Sequence, residues 1–446
     1  MDQTIIKNRR IRLFAVVLLL LNAFATESLL RSQEKNSTAL ATEILADTTL
    51  PAALTLAKET LRSGFVAGSG YDEVWIRDLN TFILLSLQLL DPERVEHQLR
   101  MFLRFQSDEG EIVDGFVPDS LSSVPYQYIR NRSISRYAAH KNTVATDQEA
   151  SLVQAVWKYV HATGNRAFLE TRVDSIRVID RLEKALFFLL GYRYSMMYGL
   201  LWGATTVDWG DVQPEHPWGV ELDGDTHYAV DVYDNAMMLI AIQNFLMLSP
   251  ENPRRSFWEG WHDRIKRNVR TKLWDGTKFI PHLYIDGSPF PSTFNERELY
   301  YHGGTAVAIE AGLLTREEIQ RSLAIMRSNV RQAGASSIGL TLHPVYPMGF
   351  FKNSALVPYS YQNGGDWPWF GGRMVQALIT HGFVEDAYFE LKPMVAHALR
   401  NRGYYEWYTL KGEPKGSGTF RGAAGVVGKA IQMLLEWAQA EQEGKK

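Results

Sequence analysis

The chain has 446 residues and 46% of them are apolar, which allows one large domain or two ordinary ones and excludes wholesale disorder. A formal net charge of −3 offers no basic surface to nucleic acid, and the lack of cysteine excludes disulfides, zinc–thiolate sites and thiol nucleophiles. Aromatic residues reach 12%, with 12 Trp and 20 Tyr, a supply that suits either a large core or flat surfaces for stacking sugar rings.

The N-terminus reads as a targeting segment. Lys7, Arg9, Arg10 and Arg12 precede an apolar run from Leu13 to Leu21, and Ala23-Phe24-Ala25 follows as an Ala-x-Ala cleavage signal. The run is shorter than the roughly 20 residues of a spanning helix. Residues 1–25 are therefore expected to be a signal peptide and the protein to be exported, with an uncleaved anchor as the alternative. No later segment is apolar enough to cross a bilayer. Residues 26–44 read as a linker and 45–446 as one catalytic domain.

Helical patterns follow near 41–62, 77–90, 93–107, 145–163, 166–192, 228–248, 254–273, 303–312, 315–333, 366–382, 384–401 and 420–441. Val153, Val156, Trp157 and Val160 have the spacing of one helix face. Thr146 and Asp147 stand where that helix needs a cap, and Thr315 stands before Glu317-Glu318 at the start of another. Strands and helices do not alternate, which argues against a doubly wound sheet. About twelve helices fit an all-α fold of six helical hairpins closed into an (α/α)6 barrel. Long loops at 64–76, 107–144, 193–227, 274–302, 334–365 and 402–419 recur after about every second helix, which places them at one end of such a barrel.

Glycoside hydrolysis needs two carboxyl groups flanking the scissile bond, so the informative Asp and Glu residues are those set in aromatic, Gly-rich loops. In Tyr71-Asp72-Glu73-Val74-Trp75-Ile76-Arg77-Asp78, Asp78 is either a ligand for sugar hydroxyls or a helix N-terminal charge paired with Arg77. The loop Trp202 to Glu215 holds Asp208 and Asp211 around Trp209-Gly210, and apolar surroundings would keep a general acid protonated. In Tyr359 to Trp369, Gln362 and Asn363 offer amides and Trp367 a stacking face, while Asp366 and Pro368 also suit a helix start. Glu406 lies among Tyr404, Tyr405, Trp407 and Tyr408, with Arg402, Lys411 and Arg421 near in sequence to keep it ionised as a base. Asp147 and Gln148 open a helix after the second long loop. Capping accounts for Asp147, and both also fit a shared cavity.

No metal or other cofactor is expected. Asp223-Gly224-Asp225 and Asp231 match no complete EF-hand loop, and the 11 His form no HExxH cluster. A GxSxG elbow and a phosphate loop are missing as well.

Tyr361-Gln362-Asn363-Gly364-Gly365-Asp366-Trp367-Pro368 resembles the YHNGG-x-WP string of glycoside hydrolase family 100, the alkaline and neutral invertases, and the Trp-Pro segments of family 63. Glu406-Trp407-Tyr408, the glycines at 412 and 416, and Phe420 with Ala423-Ala424 resemble the C-terminal segment of those families. The resemblance implies an (α/α)6 barrel, an inverting hydrolysis and no required redox cofactor, but not which sugar is bound; the expected reaction is hydrolysis of an O-glycosidic bond in a carbohydrate substrate, an α-glycoside such as a glucoside. It implies that Glu406 is the catalytic base and that Trp75, Arg77 and Asp78 line the sugar subsite; Gln362, Asn363, Asp366, Trp367 and Tyr405 are expected among the binding residues from their aromatic and amide setting. Trp209-Gly210-Asp211 is nearest to the general-acid motif and points to Asp211, with Asp208 close by. The competing classes are a polysaccharide lyase or a phosphorylase on the same barrel, and an inactive sugar-binding protein.

Overall fold

A computed structural model describes residues 37–122 and 127–444, so the expected signal peptide and cleavage site lie outside the described residues. Contacts divide the chain into a large unit, 49–431, and a small one made of residues up to 48 and from 432 onward. In the small unit, helix α1 (residues 37–46) buries Ala41 and Ile44, and Ser37 donates to Glu441 at 2.9 Å.

The large unit is a succession of helices: α2 (Thr49–Arg62), α3 (Ile76–Ser86), α4 (Pro92–Phe105), α5 (Gln148–Thr163), the short α6 (Ala167–Glu170), α7 (Val178–Tyr192) and α8 (Val232–Leu248). Then come α9 (Arg255–Asn268), α10 (His302–Glu310), α11 (Arg316–Ala333), α12 (Pro368–Thr380), α13 (Val384–Arg400) and α14 (Arg421–Glu443), whose residues 421–431 belong to this unit. Two kinds of helix alternate, and side-chain distribution separates them. α8 and α10 are apolar nearly all round and buried on every side, whereas α9 is amphipathic and buries only Trp258 and Ile265.

The buried helices pack in order: α3 on α5, α5 on α8, α8 on α10 and α10 on α12. Small residues bring the next two contacts close. A Cβ on Gly372 of α12 would lie 2.8 Å from Val426 of α14, and one on Gly425 of α14 would lie 2.3 Å from the Phe82 Cβ of α3. The packing thus returns to α3. α13 packs on both α12 and α2, and α2 on α3.

Local signals account for several helix ends. Thr315 and Glu318 form a reciprocal capping box on α11, and Gly334 ends that helix in the left-handed region. Two expected helices are broken. The stretch 41–62 is interrupted at 47–48, and 166–192 contains a two-stranded hairpin, Arg172–Val173 with Ile176–Arg177, turned by Asp174 and Ser175 at positive φ.

The long loops carry short antiparallel strands that the helical reading missed. β1 (Val74–Trp75), β2 (Gly115–Pro118), β3 (Ile129–Arg130) and β4 (Tyr137–His140) form a sheet in the order β1-β2-β4-β3. Strand pairing between distant segments creates it, and strands of two to four residues leave too little periodicity to read. The six long loops each lead into one of the buried helices α3, α5, α8, α10, α12 and α14. No helix among the described residues is long and apolar enough to cross a membrane.

Candidate active site

Five of those loops, the ones entering α3, α5, α8, α12 and α14, line one cavity of about 280 Å3. Its walls are aromatic. Trp209 stacks on Phe370 at 4.3 Å and meets the edges of Trp367 at 4.8 Å and Trp369 at 5.5 Å. Trp75 stands edge-on to His140 at 4.7 Å and to Tyr71 at 6.2 Å. Trp209 fits because the start of α10 is glycine: a Cβ on Gly303 would fall 2.2 Å from its ring. The 359–367 loop reaches the cavity through left-handed residues, Tyr359, Tyr361 and Gly364. Two tyrosines in that region are uncommon, and the Trp367 indole N–H donating to the Tyr361 carbonyl at 2.9 Å helps hold the turn.

Glu406 and Asp211 both line this cavity. Glu406 is buried, with Tyr71 donating to one oxygen at 3.1 Å and the Ser417 N–H to the other at 2.7 Å. Gly416 permits that close loop, since it has positive φ and a Cβ there would lie 2.4 Å from the carboxylate. One Asp211 oxygen accepts from Gln362 Nε2 at 2.8 Å, and its carbonyl accepts from Asn142 Nδ2 at 2.9 Å.

Arg77 lies beside them. Its Nε and Nη2 bond both oxygens of Asp147 at 2.7 and 2.9 Å, and its Nη1 donates to the Trp209 carbonyl at 3.3 Å.

Of the residues expected at the site, Trp75, Arg77, Asp78, Asp211, Gln362, Trp367 and Glu406 come together in the cavity lining. The others do not line it. Asp208 has a positive φ and turns away, accepting from the Gly303 and Gly304 N–H groups at 2.8 Å each, so it anchors the N-terminus of α10. Asp147 caps no N–H; it lies behind Arg77, where Tyr233 also donates to it at 2.8 Å. Gln148 bonds the Asn142 carbonyl and Lys141. Asn363 spans Tyr346 and the Leu356 carbonyl, an inward structural role for an amide expected on sugar. Asp366 is consumed by the Ser337 N–H and hydroxyl, and Tyr405 packs over Gly418.

The sequence reading missed Asp114, His140 and Asn142, which arrive through the β1–β4 sheet; Gly115-Phe116 directly after Asp114 is the one local cue among them. It also passed over Trp218, Asn353 and Ala355 on the rim. Tyr71, Tyr361 and Trp369 stood in loops already singled out and were legible there.

Electrostatics differ from the expected pattern. Burial pushes Glu406 up to about 7, against its two donors and with some help from Asp211. Arg421 does not hold it ionised, since that side chain bonds the Val66 carbonyl and Ser63. Burial drives Asp78 further, to about 8, opposed by Arg77 and reinforced by Glu406, Asp114 and Asp211. Asp78 Oδ1 is buried with no hydrogen-bond partner, which suits a carboxyl that carries a proton. Asp114 rises to about 7 and His140 falls to about 4, burial being the main cause of each.

His216, Asp223 and Asp225 offer ligand atoms within 4.8 Å of one another, but none of them lines the cavity. Asp231 is not one of them; it caps α8 by accepting from the Asp234 N–H at 2.8 Å.

Residues 52–350 match the family described as the glycosyl hydrolase 94 superfamily, catalytic domain. No curated protein sequence matches the chain. Among solved structures, the family 63 mannosylglycerate hydrolase of Thermus thermophilus in complex with glucose is similar at a TM-score of 0.59 and 15% identity, over 86% of this chain and 99% of that one. The same enzyme with Tris and D-glycerate gives a TM-score of 0.60 at 17% identity, over 84% and 99%. A family 78 rhamnosidase of a Bacillus species gives 0.57 at 16%, over 86% of this chain and 34% of that one. The fold is thus a helix-rich one resembling those of barrel-type family 63 glycosidases.

Proposed function

From the premise that the chain belongs to the glycosyl hydrolase 94 superfamily and is a glycoside hydrolase, we propose that it hydrolyses an O-glycosidic bond with inversion, Asp211 acting as general acid and Glu406 as general base. The expected substrate class is an α-glycoside such as a glucoside. One observation carries the reading: two carboxyl groups from loops far apart in sequence line one aromatic cavity, the arrangement that acid–base cleavage of a glycoside requires.

Glu406 suits the base. Donors on both oxygens favour its ionised form, while burial places its titration near neutrality, where a base is effective. Asp211 suits the acid because Gln362 orients one of its oxygens and Arg77 fixes the Trp209 carbonyl on the same loop.

Asp78 is the second candidate for the acid, because burial raises it to about 8 and one of its oxygens has no partner. Otherwise it binds a sugar hydroxyl. A glycosyl fluoride separates the two, since fluoride leaves without protonation. Loss of the acid spares fluoride hydrolysis while abolishing cleavage of a disaccharide. Asp211→Asn is expected to behave so, and Asp78→Asn to lose both activities. The reverse result transfers the role to Asp78.

The proposal extends to the fold. The buried helices α3, α5, α8, α10, α12 and α14, alternating with α2, α4, α7, α9, α11 and α13, read as the two layers of an (α/α)6 barrel with the catalytic loops at one end.

A further inference from the structure

We propose that the mouth of the cavity takes a neutral sugar as leaving group, stacked on Trp218, and turns away leaving groups or co-substrates that carry negative charge. The proposal rests on the hydrolytic reading and deepens it.

The cavity has a closed end and an open end. Asp78, Glu406, Trp367, Trp369 and Phe420 are buried and form the closed end. Trp218 keeps 52% of its surface exposed, and with the exposed Ala355 and half-buried Asn353 it marks the mouth. Trp218 follows Asp211 on the same loop. The group that protonates the leaving oxygen stands between the sugar that is held and the group that departs. The departing group therefore lies on the Trp218 side of Asp211. An exposed indole there offers a flat apolar face, matched by the C–H face of a pyranose, and Val212 and Val220 widen it.

Charge decides what else can enter. Asp78, Asp114, Asp211 and Glu406 all line this small space. The one arginine among the described lining residues is Arg77, and three of its N–H groups are taken by Asp147 and the Trp209 carbonyl. His140 is kept neutral by burial. A carboxylate or phosphate entering here meets the ionised base Glu406 and the oxygens of three further carboxyl groups, while the Arg77 guanidinium is already engaged by Asp147 and the Trp209 carbonyl. A neutral sugar meets hydroxyl-binding carboxyl groups, the Asn142 and Asn353 amides, and an aromatic face.

The test uses the full chain, as wild type, Trp218→Ala and Trp218→Phe. α-Glucosyl and α-mannosyl fluoride first establish which sugar is turned over. kcat/KM is then measured for that sugar linked to glucose, to glycerol and to glyceric acid. Trp218→Ala is expected to lose roughly tenfold more on the disaccharide than on the fluoride, with Trp218→Phe restoring most of the difference. The glyceric acid glycoside is expected to be cleaved at least about tenfold more slowly than its glycerol counterpart, and millimolar phosphate to cause no acceleration and yield no sugar phosphate. Equal losses on fluoride and disaccharide, preference for the acidic glycoside, or sugar phosphate as product each overturns the proposal. If the wild type cleaves none of these compounds, the hydrolytic reading fails. Titration calorimetry of maltose and glucose then decides the present proposal: Trp218→Ala must weaken maltose more than glucose, and equal weakening refutes it.

Discussion

Asp147 grips Arg77 through two parallel N–H···O bonds of 2.7 and 2.9 Å, and neither carboxylate oxygen of Asp147 faces the cavity. The pair joins the N-terminus of α5 to that of α3. Through Arg77 Nη1 it also reaches the Trp209 carbonyl on the loop that carries Asp211. Burial and the hydrogen bonds act in opposite senses on Asp147, and the Arg77 guanidinium wins, holding the carboxyl below its ordinary range. Asp147 is a positioning residue.

Asp147→Asn is expected to cost about 3–5 kcal/mol of stability, because it strands a buried guanidinium. It should also lower kcat by at least about tenfold at temperatures where the variant is folded, since a displaced acid loses catalytic alignment. Thermal unfolding and initial rates on the same samples check both effects. Normal kcat in a destabilised variant would confine Asp147 to a structural role.

Asp211→Asn and Glu406→Gln are each expected to reduce disaccharide hydrolysis by about 10²–10⁴-fold without unfolding the protein. Proton NMR of the first-formed product should reveal the anomer opposite to that of the substrate. Retention of configuration would reject the inverting mechanism. A crystal structure should place the two carboxyl groups roughly 6.5–9.5 Å apart.

The pH dependence follows from Glu406, Asp78 and Asp114, all raised by burial, to about 7, 8 and 7. A carboxyl raised on folding binds its proton more tightly in the folded state. Its contribution is complete below the unfolded value of about 4 and is lost as pH rises through the folded value. The melting temperature is therefore expected to fall between pH 5 and pH 8, by at least a few degrees. Asp78→Asn should flatten that decline. Activity should move oppositely on its acid limb, with kcat/KM rising as Glu406 ionises near pH 7. A melting temperature that rises over this interval would contradict the assignment.

Asp208→Ala should destabilise without touching the chemistry. It leaves the Gly303 and Gly304 N–H groups buried and unpaired, at a cost of about 1–3 kcal/mol each. Specific activity below the melting transition should match that of the wild type. Loss of turnover in a folded Asp208→Ala would return this residue to the catalytic set.

Export is a separate proposal, resting on the basic cluster at residues 7–12, the apolar run and Ala23-Phe24-Ala25. The mature protein recovered from its native host is expected to begin at Thr26. N-terminal sequencing that finds Met1 on a soluble cytoplasmic form would reject it.

What the sequence determined by itself is whatever depends on neighbours in the chain. Thr315 with Glu318 announces a helix start because both halves of the capping box lie within one turn, and the period of Val153, Val156 and Val160 marks a buried face. The aromatic, Gly-rich setting of Glu406 and Asp211 was legible for the same reason. Tertiary structure alone decided which of several similar carboxyl groups face the cavity. Asp208 and Asp211 share one loop and one composition, yet a positive φ and the N–H groups of α10 draw Asp208 out of reach, while Gln362 from another loop holds Asp211 at the cavity wall. Asp114, His140 and Asn142 reach the site only because short strands pair across the sheet. A side chain's direction depends on partners far away in sequence, and no local pattern encodes them.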